Sequence, residues 1–200
     1  MCSLTNPNPM TLRIIALVAL LTVATAAWAW CSPHRDKYET APYKVISNSG
    51  DVEIREYPAL SLATTAMGDA EKKGENRSFG SLFGYISGEN EDSEKISMTT
   101  PVFMEADQMS FVLPAEIAAS GAPAPKGEGV SLTSFPGGRF AVLRFSGSRS
   151  AKAEAKAEQN LRDWAAANGV KLNGTSVFAY YDPPFTLPPL RRNEVMMRAQ

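Results

Sequence analysis

The feature that most constrains the fold is a pair of matching segments at a constant offset along the chain. Residues 52–58 and 130–136 both read V-x-[IL]-x-x-[YF]-P, and the same offset of 78 pairs Ala63 with Ala141 in the strands that follow. Self-similarity at a fixed offset indicates an internal repeat. We therefore predict a domain built from two copies of one strand–helix–strand unit.

Each copy carries one amphipathic helix between strand-like segments. In the first copy a cap at Asn76 or Ser78 and a stop at Gly88 bound four apolar residues at helical spacing: Phe79, Leu82, Phe83 and Ile86. In the second copy a helix is predicted from a cap at Ser148 or Ser150 to about Ala167. Gly80 and Gly84 inside the first helix oppose helix propensity and predict a close neighbour at the backbone.

Strand-like segments occur in pairs around these helices. They are predicted at 52–57, 59–67, 96–104, 109–113, 130–135, 139–145, 177–181 and 194–198, with a loop over 114–129. Pairs of strands around single helices favour an α+β fold over an alternating α/β fold. We expect duplicated strand–helix–strand units that form a distorted antiparallel β-barrel with two flanking helices.

Residues 1–29 are predicted to be a signal peptide. Arg13 precedes an apolar run, and Ala27-Trp28-Ala29 places small residues around a cleavage site. The run from Ile14 to Trp30 is 17 residues, shorter than the ~20 that a spanning helix needs. Cleavage and export to the periplasm are therefore favoured over the alternative, an N-terminal membrane anchor. Residues 30–42 then form a tether to a folded domain at 43–200.

Charge and residue types argue against several function classes. The net charge of −1 gives no electrostatic footprint for nucleic acid. His34 is the single histidine and lies in the tether, so the domain cannot build a nucleophile–histidine–acid set. No glycine-rich phosphate loop or metal-ligand cluster is present in the sequence. We expect a protein that is not an enzyme.

Several motifs together resemble the SOUL haem-binding protein family. The longest, over residues 181–195, reads YDPPFTLPPLRRNEV, and further matches lie at 43–45, 52–57, 83–88, 95–102 and 111–114. The resemblance covers about residues 43–198. It implies a fold of two duplicated units and binding of haem or a related tetrapyrrole. Together with the missing catalytic motifs, this leads us to expect noncatalytic, reversible binding.

The resemblance also implies where the ligand would lie. Carried over residue by residue, one wall is the first helix and the other is the loop before the last strand: Phe79, Leu82, Phe83 and Ile86, with Phe185, Leu187 and Leu190. Porphyrin propionates need cations, and arginine binds carboxylates through two hydrogen bonds. The candidates for that role are Arg77, Arg191 and Arg192.

Alternatives stay open on this evidence. The helical spacing of the four apolar residues, taken alone, favours a role in the core. Four side chains could ligate iron in principle, although packing is favoured for each, so we expect weak or no axial ligation: Met98, Met104, Tyr85 and Tyr181. The alternative functions are a binding module for another hydrophobic small molecule and an envelope interaction protein whose pocket is vestigial.

Overall fold

The structure is a computed structural model that describes residues 37–68, 71–105 and 107–200. The predicted signal and most of the tether lie outside the described residues. Within them the chain forms strands β1 Glu39–Thr40, β2 Lys44–Ser49, β3 Val52–Tyr57, β4 Leu60–Ala66, β5 Thr99–Thr100, β6 Val102–Glu105, β7 Gln108–Val112, β8 Ser131–Phe135, β9 Gly138–Phe145, β10 Leu172–Tyr180 and β11 Asn193–Ala199. The α-helices are α1 Glu71–Ile86, α2 Ala115–Ser120 and α3 Ala151–Ala167.

Nine of these strands form one antiparallel sheet in the order β2-β3-β9-β11-β10-β6-β7-β4-β8. The α+β class is confirmed. The expected closure into a barrel is not found, because among the described strands no backbone pairing joins the edges β2 and β8. Side chains near the two edges do meet, since the rings of Tyr57 in β3 and Phe135 in β8 lie 6.2 Å apart. The sheet is therefore curled but open.

The register of the sheet has the same offset as the sequence repeat. Tyr57 faces Gly138 across β3 and β9, and Phe135 faces Leu60 across β8 and β4. Adding 78 to Tyr57 gives Phe135, and subtracting 78 from Gly138 gives Leu60, so the second pair is the first with the two halves exchanged. The sheet order has the same symmetry. Counted from one end, β3, β9, β11 and β10 occupy the places that their counterparts β8, β4, β7 and β6 occupy when counted from the other end. An internal duplication would produce this symmetry, although the duplication itself stays a prediction.

Alternating residues of the strands divide the core into an interior cluster and two clusters beneath the helices. In β9, Phe140 and Val142 belong to the interior cluster, whereas Ala141 lies beneath α3. The equivalent Ala63 in β4 lies beneath α1 and, like Ala141, is fully buried. One helix thus covers each half of the sheet on the same face. None of the helices in the described ranges is both long and apolar enough to cross a membrane.

The helices differ from the expectations at several positions. Helix α3 begins as predicted, with the Ser150 hydroxyl accepting a hydrogen bond of 3.2 Å from the Ala153 amide. Helix α1 begins before Ser78, whose hydroxyl instead donates to the carbonyl of Ala66. Helix α2 lies in the segment predicted to be a loop. The predicted close neighbour is missing at Gly80, where an added Cβ would meet nothing within 4 Å.

Candidate functional site

A groove lies over the two central strands, on the helix-bearing face of the sheet. Val102 in β6 and Tyr180 in β10 face each other across these strands and form the floor of the groove. Phe79 of α1 lines one side. The segment 182–191, which we call the proline loop, lines the other through Asp182 and Pro184. The groove has two lobes that share these residues.

The two lobes differ in the charged side chains that line them. The apolar lobe has a volume of about 320 Å³ and is lined by Phe79, Met98 and Phe185 among others. The polar lobe has a volume of about 350 Å³ and is lined by Arg149 and Arg191 as well as by methionines. Both volumes lie within the ~300–1,000 Å³ range of small-molecule sites. The polar lobe therefore differs from the apolar lobe by its two guanidinium groups, of which Arg149 pairs with Glu154, whereas Asp182 lines both lobes.

The structure brings three of the ten predicted site residues to the groove: Phe79, Phe185 and Arg191. Phe185 is 86% exposed and Phe79 is 39% exposed, so both rings are accessible. Phe83 is half exposed and stacks on Phe79, with ring centroids 6.2 Å apart. It extends the aromatic surface beside the groove.

The other predicted residues lie elsewhere. Leu82 and Ile86 are buried in the cluster between α1 and the sheet, because they face the strands, so they are core residues. Leu187 and Leu190 belong to the proline loop. Leu187 precedes the short 3₁₀ helix Pro188–Leu190 and Leu190 ends it, and neither residue lines either lobe. Arg77 is exposed on α1, away from both lobes. Arg192 turns into the interior of the sheet.

The proline loop is held by hydrogen bonds within itself. The Arg191 guanidinium donates through Nε to the carbonyl of Thr186 at 2.8 Å and through Nη2 to the carbonyl of Pro184. The Thr186 amide donates to the carbonyl of Pro183 at 3.0 Å. Both acceptors of Arg191 are neutral, so these bonds fix the guanidinium at the polar lobe without cancelling its charge. The loop is consequently a preformed wall.

A buried ionic cluster anchors both ends of that loop. We call it the Glu194 cluster, and it consists of Arg55, Glu194, Arg192, Tyr43, Tyr57 and Tyr181. Glu194 is fully buried and accepts two bonds from Arg55, at 2.7 and 2.9 Å, and two from Arg192, at 2.7 and 2.9 Å. Tyr181, at the start of the loop, donates to Glu194 at 3.0 Å. Because Tyr181 and Arg192 bracket the loop, one carboxylate holds both of its ends.

Aromatic rings complete the cluster. The Arg192 guanidinium lies 3.9 Å from the ring centroid of Tyr181, and that of Arg55 lies 4.2 Å from the centroid of Tyr43. The Arg192 amide also donates to Asp182 at 2.6 Å. These contacts desolvate the charges and fix their positions.

Burial and charge determine how the cluster titrates. Burial pushes the pKa of Glu194 upward, but the hydrogen bonds and charges of Arg55 and Arg192 more than offset it, so this pKa lies below its ordinary value. Burial raises the pKa of Tyr57 to about 12 and that of Tyr181 well above its ordinary value. The carboxylate is therefore ionised and the phenols are protonated at neutral pH.

A second polar contact lies at the floor of the groove. The Tyr180 hydroxyl donates to the Glu154 carboxylate of α3, which also pairs with Arg149 at 2.9 Å. Burial and then the bond to Glu154 raise the pKa of Tyr180. In the described part of the chain no group of three or more histidine, cysteine or acidic residues is placed to hold a metal ion.

The family of the chain follows from a comparison with known families. The family described as "SOUL heme-binding protein" matches residues 38–198. The chain belongs to this SOUL family. No curated protein matches the chain significantly. The match begins at the first described residues and ends within the last strand, so it includes the groove, the proline loop and the Glu194 cluster.

Solved structures share the fold of this SOUL protein at low sequence identity. The C-terminal domain of EcmrR has a TM-score of 0.55 at 12% identity and covers 79% of this chain and 98% of its own. A hydrolase from Listeria innocua has a TM-score of 0.50 at 13% identity, covering 78% and 94%. EcmrR in a complex with DNA has a TM-score of 0.55 at 13% identity, covering 96% and 68%. At these identities the likeness shows the fold alone.

Sequence reasoning missed the Glu194 cluster in this SOUL protein. The available signal was the alternation along the strands, which places Arg55 on the same face as Tyr57 and Glu194 on the same face as Met196. That face is the interior of the curled sheet. The partners Arg55 and Glu194 are 139 residues apart, so no local pattern links them.

Proposed function

We propose that the protein binds haem or a related tetrapyrrole reversibly in the groove and catalyses no reaction on it. One observation carries this proposal: in a SOUL-family chain, two accessible phenylalanine rings, Phe79 and Phe185, line one cavity from opposite walls. A flat macrocycle presents two apolar faces that such rings can cover.

The hydrophobic gain from such binding is substantial. Phe185 is 86% exposed, and burying a phenylalanine side chain contributes about 1.5–3 kcal/mol. Phe79 and the adjacent Phe83 add further apolar surface along α1. Because the proline loop is already held by Arg191 and the Glu194 cluster, little ordering of the loop opposes binding.

The polar lobe gives the ligand an orientation. Arg191 is the one member of the predicted arginine trio that lines the groove, and Arg149 lines the same lobe. A guanidinium recognises a carboxylate through paired hydrogen bonds. The propionates would therefore lie at the polar lobe and the macrocycle in the apolar lobe. Arg192 has no part in this arrangement because it pairs with Glu194.

A titration of the full chain with haem and with metal-free protoporphyrin tests the proposal. We expect a shifted Soret band for both ligands and dissociation constants on the order of micromolar or tighter. Phe185→Ala should weaken binding about tenfold, which corresponds to about 1.4 kcal/mol. Leu132→Ala is the matched control, since Leu132 is an exposed apolar residue of β8 outside the groove.

Other outcomes favour the alternative functions. Stabilisation by a different amphiphile, without any Soret shift, would favour a binding module for another hydrophobic molecule. The absence of binding to any such ligand would favour an envelope interaction protein. Equal affinities in the Phe185→Ala and Leu132→Ala variants would remove the groove from the binding site even if porphyrin binds.

We also propose that the protein is exported to the periplasm after cleavage behind Ala29, with an uncleaved N-terminal anchor as the alternative. The charged start, apolar run and small residues at the cleavage site support it. Intact-mass measurement of the cell-envelope fraction tests this. A mature chain beginning at Trp30 is expected, whereas a membrane-bound chain that retains Met1 or Met10 would contradict cleavage.

A further inference from the structure

The charged side chains around the groove nearly cancel one another, and this limits how many carboxylates a ligand there can carry. The inference that follows rests on the proposed function. Among the described residues that line the two lobes, the charged ones are Arg149, Arg191 and Asp182. Glu154 adds a second acid, because its carboxylate accepts the hydrogen bond of the Tyr180 hydroxyl at the floor. Two cations therefore face two acids.

Arg149 is the cation whose charge is already offset. Its Nε atom lies 2.9 Å from the Glu154 carboxylate, and its guanidinium carbon lies 5.5 Å from the ring centroid of Tyr180. The two side chains are 26% and 19% exposed, so solvent screens the pair only in part. The attraction that Arg149 offers a ligand carboxylate is thus reduced by the repulsion from Glu154.

Arg191 supplies the remaining positive charge. Its Nη2 atom donates to the carbonyl of Pro184, a residue that lines both lobes, so the guanidinium itself lies at the groove. Its other acceptor is the carbonyl of Thr186, at 2.8 Å. Because both acceptors are neutral, the charge of Arg191 is available to a carboxylate of the ligand.

The apolar lobe is unsuited to a ligand carboxylate. Asp182 is the one charged residue among the described residues that line this lobe, and its Oδ2 atom accepts a hydrogen bond of 2.6 Å from the Arg192 amide. The walls are the accessible rings of Phe79 and Phe185, and the faces of such rings carry partial negative charge. A carboxylate placed here would lose water and meet no cation of the lining, which is unfavourable.

We propose that the groove selects tetrapyrroles that carry carboxylates on one edge only, and discriminates against those with carboxylates around the whole ring. A pair of neighbouring propionates lies at Arg191 in the polar lobe, and the opposite, apolar edge lies between Phe79 and Phe185. Haem and protoporphyrin have this pattern. Coproporphyrin and uroporphyrin, with four and eight carboxylates, would place some of them in the apolar lobe.

Two metal-free porphyrins form a matched pair that tests the selection. Mesoporphyrin IX and coproporphyrin III have the same ring and the same order of substituents, but two ethyl groups of the first are propionates in the second. In Soret titrations of the full chain, coproporphyrin should bind at least about tenfold more weakly than mesoporphyrin. Because the preference is electrostatic, added salt should narrow it.

A cation added to the apolar lobe should relieve the discrimination. Phe185→Arg and Phe185→Ala remove the same exposed ring, but only the first adds a positive charge beside Phe79. Coproporphyrin should bind Phe185→Arg about tenfold more tightly than Phe185→Ala, and mesoporphyrin should gain much less. Leu132→Arg against Leu132→Ala is the control pair, since it adds the same charge at an exposed position outside the groove, and no gain is expected.

Each other outcome overturns a defined part of the argument. Equal affinities of the unmodified protein for the two porphyrins overturn the selection and leave the proposed function standing. A preference for mesoporphyrin that neither salt nor Phe185→Arg reduces, or a gain that Leu132→Arg reproduces, overturns the assignment of the selection to the charges of the groove. Failure of both mesoporphyrin and protoporphyrin to bind overturns the proposed function itself.

Discussion

The Glu194 cluster predicts a large and pH-dependent loss of stability when its carboxylate is neutralised. Glu194 is fully buried, and its four bonds to Arg55 and Arg192 are all between 2.7 and 2.9 Å. Glu194→Gln keeps the volume but removes the buried counter-charge that Arg55 and Arg192 share, and it leaves Arg55 paired with the partly exposed Glu53, at 2.6 Å. Removing one partner from a buried ion pair costs about 3–5 kcal/mol, and we expect a value in this range.

The same substitution at the surface gives a matched control. Glu158 pairs with Arg162 at 2.7 Å one turn away on α3, where the side chains are 31% and 44% exposed. Solvent screens this pair, so Glu158→Gln should cost about 0.3–0.5 kcal/mol. Urea unfolding of both variants at neutral pH measures the two values, with the slope of the transition as a check that the unfolded states are comparable.

The pH dependence of the difference has a definite sign. The pKa of Glu194 is lower in the folded protein than in the unfolded chain, so its contribution to stability is present above the ordinary glutamate pKa. It is lost as the pH falls through the lower, folded value. The stability gap between the native protein and Glu194→Gln should therefore narrow in acid. A gap no larger than that of Glu158→Gln, or one that widens in acid, would refute the reasoning.

Three other perturbations test the core, the backbone and the buried phenols. Leu82→Ala should cost about 2–5 kcal/mol in urea unfolding, whereas Phe83→Ala, at a half-exposed position, should cost less than about 1 kcal/mol; equal costs would contradict the placement of α1. Gly80→Ala should raise stability by about 1 kcal/mol, but Gly137→Ala should lower it, because its Cβ would lie 2.7 Å from a main-chain atom; thermal unfolding shows either sign. Burial raises the pKa of Tyr57 to about 12, so the contribution of its protonated phenol to stability should be fully present below about pH 10, the ordinary tyrosine pKa. That contribution should be lost as the pH rises from about 10 through about 12, and urea unfolding over this range should show a smaller decline in Tyr57→Phe.

Much of the fold could be predicted because local signals and tertiary packing agree. The paired prolines at 58 and 136 end β3 and β8 at equivalent places, and Ser150 caps α3 as its sequence indicates. Whether the sheet closes into a barrel could not be predicted, since closure depends on whether the two edge strands pair with each other, and here they do not. Strand β2 is exposed along its whole length and has an irregular register between Val45 and Ser47. Such an edge resists further pairing.

The site was predictable only in part, for a different reason. Helical spacing places Phe79, Leu82 and Ile86 on one face but does not tell which part of that face lies over strands and which lies over the groove. In the structure Phe79 borders the groove, whereas Leu82 and Ile86 pack on the sheet. Arg192 was predicted to bind a propionate because the sequence does not show that Glu194, two residues away, is buried. A glutamate is ordinarily exposed, so it gave no sign of pairing with Arg192 in the interior.

The groove exists because the two halves of the sheet differ at one hairpin. Strands β6 and β7 are joined tightly, with Glu105 facing Gln108, whereas β10 and β11 are joined by residues 181–192, since Tyr180 faces Asn193. The added length forms the proline loop over the central strands. Glu194 holds both ends of this loop from the interior by binding Tyr181 and Arg192. The buried charge is therefore part of the architecture that forms the groove. Shortening the loop to the length of the first hairpin should abolish porphyrin binding, which the Soret titration would show. The helices and the rest of the sheet should stay folded, which circular dichroism would show.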